Sequence, residues 1–302
     1  MAVSRRGWIL FAAMCVIWGL PYLLIRVAVR DLDPAFVVFA RTAIATIILL
    51  PLALSRGVLK GLRGHWPWLL AYTVIEVAVP WLALTRAEQR LTSSLAGLLV
   101  AATPLFGVAV TRIGGLEGAV GARRMTGLLV GLTGVACLVG LQIGHLDIAA
   151  TLEVLGVALC YSIGPIIASR RLAGVPSLGV VTVSLGLTAL AYAPFALTRP
   201  PHHVSGEVVW SVLALATVCT ALAFIVFFAL IAEVGPSRAV VITYVNPAVA
   251  LALGVTLLGE HVTRGMAVGF PLVLLGSVLA TVQRRAPAAP LRPVDRAHQG
   301  VQ

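Results

Sequence analysis

Charge is what this chain most lacks. Only 11% of its 302 residues are Asp, Glu, Lys or Arg, and Lys60 is the single lysine. Ordinary soluble domains carry about a quarter charged residues. Aromatic residues are also few, at 7%, while 60% of the chain is hydrophobic. The mean hydropathy is +1.02. A soluble protein of this length could not hide so much apolar surface in one core. A soluble enzyme, a nucleic-acid-binding module and a disordered chain are therefore excluded, and lipid is the expected solvent. The four cysteines, Cys15, Cys137, Cys160 and Cys219, all lie in apolar runs and none belongs to a CxxC pair. They read as small hydrophobes in helices, not as disulfides or metal ligands. No GxxxxGK[ST] phosphate loop is present, so an ATPase activity or ATPase subunit is not implied. His202 and His203 are adjacent and have no Cys or carboxylate at ligand spacing. No metal or other cofactor is expected.

What is present is a series of apolar runs, each about 20 residues long, the length that crosses a bilayer as a helix. They fall at 8–28, 35–54, 66–85, 93–111, 125–141, 152–169, 178–197, 208–230, 238–258 and 266–282, which makes ten spans. Arg5 and Arg6 precede the first, as in a signal peptide. That run is long and lacks a small-residue cleavage site, so it reads as a retained helix. The gaps are too short for a folded extramembrane domain. Residues 1–7 form a short N-terminal segment, and the Pro-rich polar tail 284–302 is expected to be disordered. With the N-terminus inside, 15 cations fall in inside segments and 6 outside, with Arg41 within a span. That bias, in a chain of +11 net charge, predicts a multi-pass inner-membrane protein with both termini cytoplasmic.

The two halves of the chain match. At an offset of 143, Ser94 falls on Ser237, Ala96 on Ala239, Pro104 on Pro247 and Glu117 on Glu260. Pro21 with Pro165, Arg26 with Arg170, Pro51 with Pro194 and Glu88 with Glu233 fall within one or two residues of that offset. Each half, 8–141 and 152–283, then holds five spans. Five is odd, so the second half enters the membrane from the opposite side. Inverted repeats of this kind are frequent in secondary transporters, with the substrate site near the midplane where the halves meet.

These residues carry a resemblance. Trp18-Gly19 in the first span, Arg41 in FVVFARTAIA, and the paired blocks Pro104–Glu117 and Pro247–Glu260 resemble the drug/metabolite transporter superfamily, in particular its EamA-type family of two five-helix repeats. Gly259-Glu260 keeps that pattern, whereas Leu116 stands where a glycine is common. The resemblance covers about residues 8–283. It implies an all-α integral membrane protein of ten helices in two inverted-topology repeats. It also implies an exporter or importer of amino acids, metabolites or drugs that has no enzymatic activity.

Few ionisable side chains lie within the spans. Arg41 is expected about 10 Å below one surface and Glu76 about 15 Å below the other, near the middle of a core about 30 Å thick. Each must face protein or water and find a partner. Their repeat counterparts, near Ser184 and Thr220 or Cys219, carry no charge. Glu76 is the candidate for proton coupling or for a substrate amine, and Arg41 for its companion. The alternative is a structural ion pair between the second and third spans. Tyr244, Asn246 and the helix-kinking Pro247, with their counterparts Thr103 and Pro104, form a second candidate cluster at matched kinks. Trp18 and Trp81 lie deep enough to line a cavity, although core packing would account for them too. Glu117 and Glu260 are the repeat signature. Gly127, Gly131 and Gly134 are expected to let helices approach closely.

These features predict a secondary transporter, an exporter of small metabolites, amino acids or drugs working by alternating access, either coupled to protons through Glu76 or by facilitated diffusion. A small-molecule substrate, the lipid bilayer and a monomer or homodimer complete the expectation, with no nucleic acid. The rivals are an integral-membrane lipid-modifying enzyme, for which no catalytic constellation is visible, and a non-transporting membrane regulator.

Overall fold

The structure, a computed structural model, describes residues 4–115, 121–141, 147–198, 200–201 and 203–281. Glu117, His202 and the tail 284–302 lie outside the described residues. Among the described residues, nine helices are long and apolar enough to cross a membrane. They are α1 (Arg5–Ala28), α2 (Pro34–Ser55), α3 (Lys60–Ala87), α4 (Ser93–Ile113), α5 (Ala122–Gly140), α6 (Ile148–Arg171), α7 (Ser177–Thr198), α8 (Gly206–Val234) and α10 (Arg264–Thr281). Between the last two lies the shorter apolar α9 (Ile242–Leu258). The expected ten spans are therefore present. Their boundaries are set by local chemistry. Ser4, Asp33, Thr92 and Asp147 cap α1, α2, α4 and α6 by accepting from the backbone N–H of Gly7, Ala35, Leu95 and Ala150 at 3.0, 2.8, 3.2 and 2.8 Å. Pro34 follows its cap at the first helical position, where its missing N–H costs nothing. Gly259 ends α9 in the left-handed region at φ 66°.

The ninth span is not the continuous run 238–258 read from the sequence. A short helix, Pro236–Ala239, comes first, then a turn at Val240-Val241, then α9. Gly235, at φ 83°, turns the chain out of α8, and Pro236 cannot extend the α8 hydrogen-bond ladder. The fourth span breaks too, at Ala101-Ala102, between segments Ser93–Val100 and Thr103–Ile113. Thr103-Pro104 opens the second segment, so the kink expected there is a true interruption. Pro247 instead lies inside continuous α9.

The packing has the pattern that a two-fold relation between halves requires. Helices α5 and α10 pack together, as do α2 and α7, and α4 and α9. Each of these contacts maps onto itself when the halves are exchanged. The contact of α1 with α9 is matched by that of α6 with α4, and α1 with α8 by α6 with α3. Five helices per repeat is an odd number of crossings, so the repeats are inverted. Many large apolar side chains face outward, Ile47, Leu190 and Trp210 among them at 71–72% exposed. In water such a surface would drive aggregation; in lipid it is the expected exterior.

Without a hydrophobic drive between helices in lipid, close backbone approach has to supply the packing. At the α5–α10 contact, a Cβ on Gly134 would lie 2.5 Å from Val273 N and 2.8 Å from Gly269 O. A Cβ on Gly127 would lie 2.5 Å from Ala280 N, and one on Gly276 would strike the backbone of Gly131. These glycines act in packing, as the sequence suggested. Gly134→Val should therefore force the two backbones apart and cost about 2–3 kcal/mol or more. The expected result is a clear fall in melting temperature of the purified protein. Gly156→Ala, inside α6 where a Cβ meets nothing within 4 Å, should not lower it.

Candidate functional site

The site is built on two matching irregularities. Residues Thr73–Ala78 of α3 and Thr217–Leu222 of α8 are both wound as π-helix, 144 positions apart. Such turns are rare and concentrate at functional sites. In α3, Pro80 has no N–H for the Glu76 carbonyl, and Val79 N–H reaches back five residues to Val74 O. The widened turn frees further carbonyls, and the Tyr192 hydroxyl of α7 donates to that of Ala78 at 3.0 Å. In α8, the Thr220 hydroxyl donates to Leu215 O, five residues back, at 2.7 Å. Among the described residues, both departures from α geometry face the α2–α7 pair at mid-span.

Arg41 of α2 is buried at this place. Its Nε donates to Thr220 Oγ1 at 2.8 Å, and its Cζ stands 3.7 Å from the ring centroid of Trp81. The aromatic face below and the hydroxyl at its side replace part of the water the guanidinium has lost. Across the pseudo-two-fold, Ser184 occupies the place of Arg41, and its hydroxyl lies 2.9 Å from that of Thr73. The symmetry of position is kept while the charge is confined to one half. Tyr161 of α6 packs in the same cluster as Trp81 and lies in electrostatic reach of both Arg41 and Glu76.

Glu76 sits within the α3 π-segment, as the counterpart of Thr220. Its carboxyl lies against Gly164 of α6, where a Cβ would fall 2.7 Å from Glu76 Cδ and collide with Oε2. Oε2 is buried with no hydrogen-bond partner. Among the described residues no ion pair joins Glu76 to Arg41; the arginine turns to Thr220 and Trp81 instead. The two charges expected from sequence thus have different surroundings, Arg41 with Thr220 and Trp81 and Glu76 with Gly164. Tyr161 is the residue within electrostatic reach of both.

The other expected residues go elsewhere. The Asn246 amide, oriented to satisfy both partners, donates to Ile242 O at 3.0 Å and to Cys15 O at 3.2 Å, bracing α9 against α1. The Tyr244 hydroxyl lies 2.6 Å from Thr281 Oγ1 near the end of α10. Thr103 donates to Val100 O at 2.7 Å across the α4 interruption. Trp18 packs on Phe227 and Phe224 with centroids 4.7 and 6.2 Å away. None of these four makes a described polar contact with the Arg41 core.

Glu260 has a definite task. Its Oε1 accepts from Ser93 N and Oγ at 2.8 and 3.0 Å, and its Oε2 from Ser94 N and Oγ at 2.9 and 2.5 Å. A carboxylate from the second repeat thereby caps α4 of the first, where the free N–H groups and the helix dipole favour negative charge. This end of α4 lies on the face where α1 finishes, called here the far face; α1 begins on the near face. The far face is tied in other ways. Arg90 pairs with Asp147 at 3.2 Å and with Glu153 at 2.9 Å. Ser205 N–H and hydroxyl donate to Asp31 at 2.9 and 2.7 Å, and hold its carboxyl below the usual carboxylate range.

Sequence reasoning missed Glu88. It stands one residue past α3, in the polar string Arg86 to Arg90, which reads as a surface loop. In the structure it is completely buried and neither carboxyl oxygen has a hydrogen-bond partner. The available signal was its repeat match to Glu233, a pairing of acids that sequence reasoning noted and did not pursue.

Comparison with known proteins decides the family. Residues 5–140 and 149–282 each match the EamA-like transporter family. The chain belongs to the EamA-like transporter family. Similar proteins include YedA of Escherichia coli (strain K12), named an uncharacterised inner membrane transporter, which is 29% identical over 92% of each chain. The uncharacterised transporter YvbV of Bacillus subtilis (strain 168) is 22% identical over 95% of each. A solved crystal structure 24% identical in sequence superposes with a TM-score of 0.64, over 93% of this chain and 98% of its own. That last likeness supports the fold alone. The chain is thus a multi-pass EamA membrane protein of a transporter family.

The Glu260 cap gives a test that needs no substrate. Glu260→Ala leaves the Ser93 and Ser94 N–H groups without their acceptor. It should cost about 1–2 kcal/mol, seen as a lower melting temperature and faster amide exchange in residues 93–99. Unchanged exchange there would show that water replaces the carboxylate at no cost.

Proposed function

We propose that this EamA protein is a secondary transporter, an exporter of small metabolites, amino acids or drugs, that works by alternating access between its inverted repeats. Both termini lie in the cytoplasm, as the arginine bias argues. The observation that supports the reading is the buried Arg41 held mid-span by Thr220 and Trp81, with Tyr161 in electrostatic reach of it and of Glu76, where the π-segments of α3 and α8 meet the α2–α7 pair. Inverted repeats give two conformations of equal kind, and a site on the axis between them is reached from either face in turn.

In this reading the chain's own residues divide the work. Arg41 is permanently charged and presents its guanidinium edge to an anionic or polar group of the substrate. The faces of Trp81 and Tyr161 contact its apolar part. Glu76 receives either a substrate amine or a proton. A lipid-modifying enzyme would need a nucleophile or paired acid and base at one membrane surface, and the polar core sits at mid-span instead. Regulation without transport would not require charges at that depth. Ten spans suffice for a working monomer, and homodimer formation remains compatible with it.

The test is flux into liposomes holding only this protein, screened over amino acids, amines, purines and drugs. A substrate should be taken up with saturation, and Arg41→Lys should cut the rate at least about tenfold, because an ammonium reproduces neither the planar stacking nor the fork. Glu76→Gln should flatten the dependence of flux on pH. Absence of flux for every compound, with ligand-induced stabilisation also absent, would overturn the transporter reading. A Glu76→Gln profile equal to wild type would remove Glu76 from coupling.

A further inference from the structure

Glu88 is fully buried, and neither carboxyl oxygen has a hydrogen-bond partner. Its chain neighbours Leu84 and Leu91 belong to a buried apolar cluster. The charged and titratable groups facing it come from three elements. Arg26 and Tyr22 belong to α1, Arg41 to α2, and Glu260 to the α9–α10 connection. None bonds the carboxyl. Arg26 donates its Nη1 proton to the backbone carbonyl of Glu88 instead, and Glu260 is held by Ser93 and Ser94. An ionised carboxylate buried without donors is very costly, whereas the neutral acid asks for little. A metal cation would need several further oxygen ligands, and no group of three or more His, Cys, Asp or Glu suited to a metal exists among the described residues. The ligand chemistry that fits is a proton.

Water comes close. A pocket of about 490 Å³ on the far face is lined by Arg26, Gln89, Thr92 and Glu260 among others. Arg26 and Gln89 both line it, so the Arg26 bond to Glu88 O forms part of the wall between the pocket and the acid. The repeat counterpart of Glu88 shows the other condition. Glu233, near the start of α1, accepts from Ser4 Oγ at 2.5 Å and lies 3.9 Å from Arg6, with its side chain 26% exposed. Matched acids are therefore sealed at the far face and open at the near face. In an inverted-repeat protein the halves exchange conformations, and the exchange would expose Glu88 as Glu233 is exposed here.

We propose that Glu88 is a proton-binding site in the far-face closure: it holds a proton while Arg26, Tyr22 and the Glu260-capped end of α4 close over it, and releases that proton to the far-face pocket when the closure opens. Glu88 and Glu76 share no described contact, although Arg41 is among the charges that face Glu88. Its use in coupling rests on the transport reading; its protonation does not.

The test uses the full-length protein in detergent, with pH as the only probe. Infrared difference spectra recorded above the ordinary carboxylate range should contain a carbonyl component of a protonated carboxyl in wild type that is lost in Glu88→Gln. That component should be kept in Glu76→Gln, whatever further component Glu76 itself contributes. In parallel, amide exchange of residues 93–99, corrected for intrinsic base catalysis, should rise with pH in wild type and stay level in Glu88→Gln, whose amide mimics the neutral acid. A carbonyl region that is unchanged in Glu88→Gln overturns the proton site. A lost band with equal exchange profiles in both proteins overturns the link to the closure. Should Glu88→Gln fail to fold, Glu88→Asp keeps the acid and should shift the band, and an unshifted band overturns the proposal. Flux measurements play no part, so failure of the transport reading would leave this outcome distinct.

Discussion

Arg41 cannot give up its charge. A guanidinium holds its proton under all accessible conditions, yet this one is buried at mid-span in a chain made for lipid. The surrounding structure therefore has to supply what water would have supplied. Trp81 lies beneath the guanidinium plane and Thr220 accepts from Nε. Thr220 is able to do so because α8 is unwound to π geometry at that point, and the matching turn in α3 carries Glu76. Placement of one permanent charge thus draws together α2, α3 and α8, and through Trp81 and Tyr161 also α6. The glycine seams at α5–α10 have the complementary role of fixing the outer helices, so that adjustment is confined to the middle.

The two halves are alike in backbone and unlike in charge. Arg41 faces Ser184 across the pseudo-two-fold, Glu76 faces Thr220, and buried Glu88 answers to partly exposed Glu233. In the proposed alternating-access cycle, backbone likeness would make the two end states comparable in energy. Charge inequality would let a substrate or a proton bias one against the other, since a ligand shifts an equilibrium only by its differential affinity. Glu260 links the levels, because a residue of the second repeat caps a helix of the first at the very face where Glu88 is sealed.

Much of the fold was legible in the sequence for a simple reason: a bilayer leaves few options. Runs of about 20 apolar residues must be helices, and aligned Pro104–Pro247 and Glu117–Glu260 revealed the duplication. That Arg41 and Glu76 lie inside the second and third spans was legible from counting along the chain. Their partners were not, because a π-turn has no pattern of its own in apolar sequence and tertiary approach decides which hydroxyl an arginine meets. Asn246 and Tyr244 looked like site residues since polar groups beside a proline suggest a kink. Their side chains are engaged with Ile242, Cys15 and Thr281 instead. Glu88 was hidden by its neighbours, for an acid between Arg86 and Arg90 reads as solvated until the fold closes over it.

The central claim is that the core around Arg41 and Glu76 is reached from each face in turn. Tyr161→Cys, in a background with Cys15, Cys137, Cys160 and Cys219 replaced by alanine, places one thiol beside that core. Vesicles of known orientation would be treated with a membrane-impermeant maleimide from one side or the other. The account predicts that the thiol reacts from both sides. A thiol that reacts from neither side, or from one side only, would contradict it.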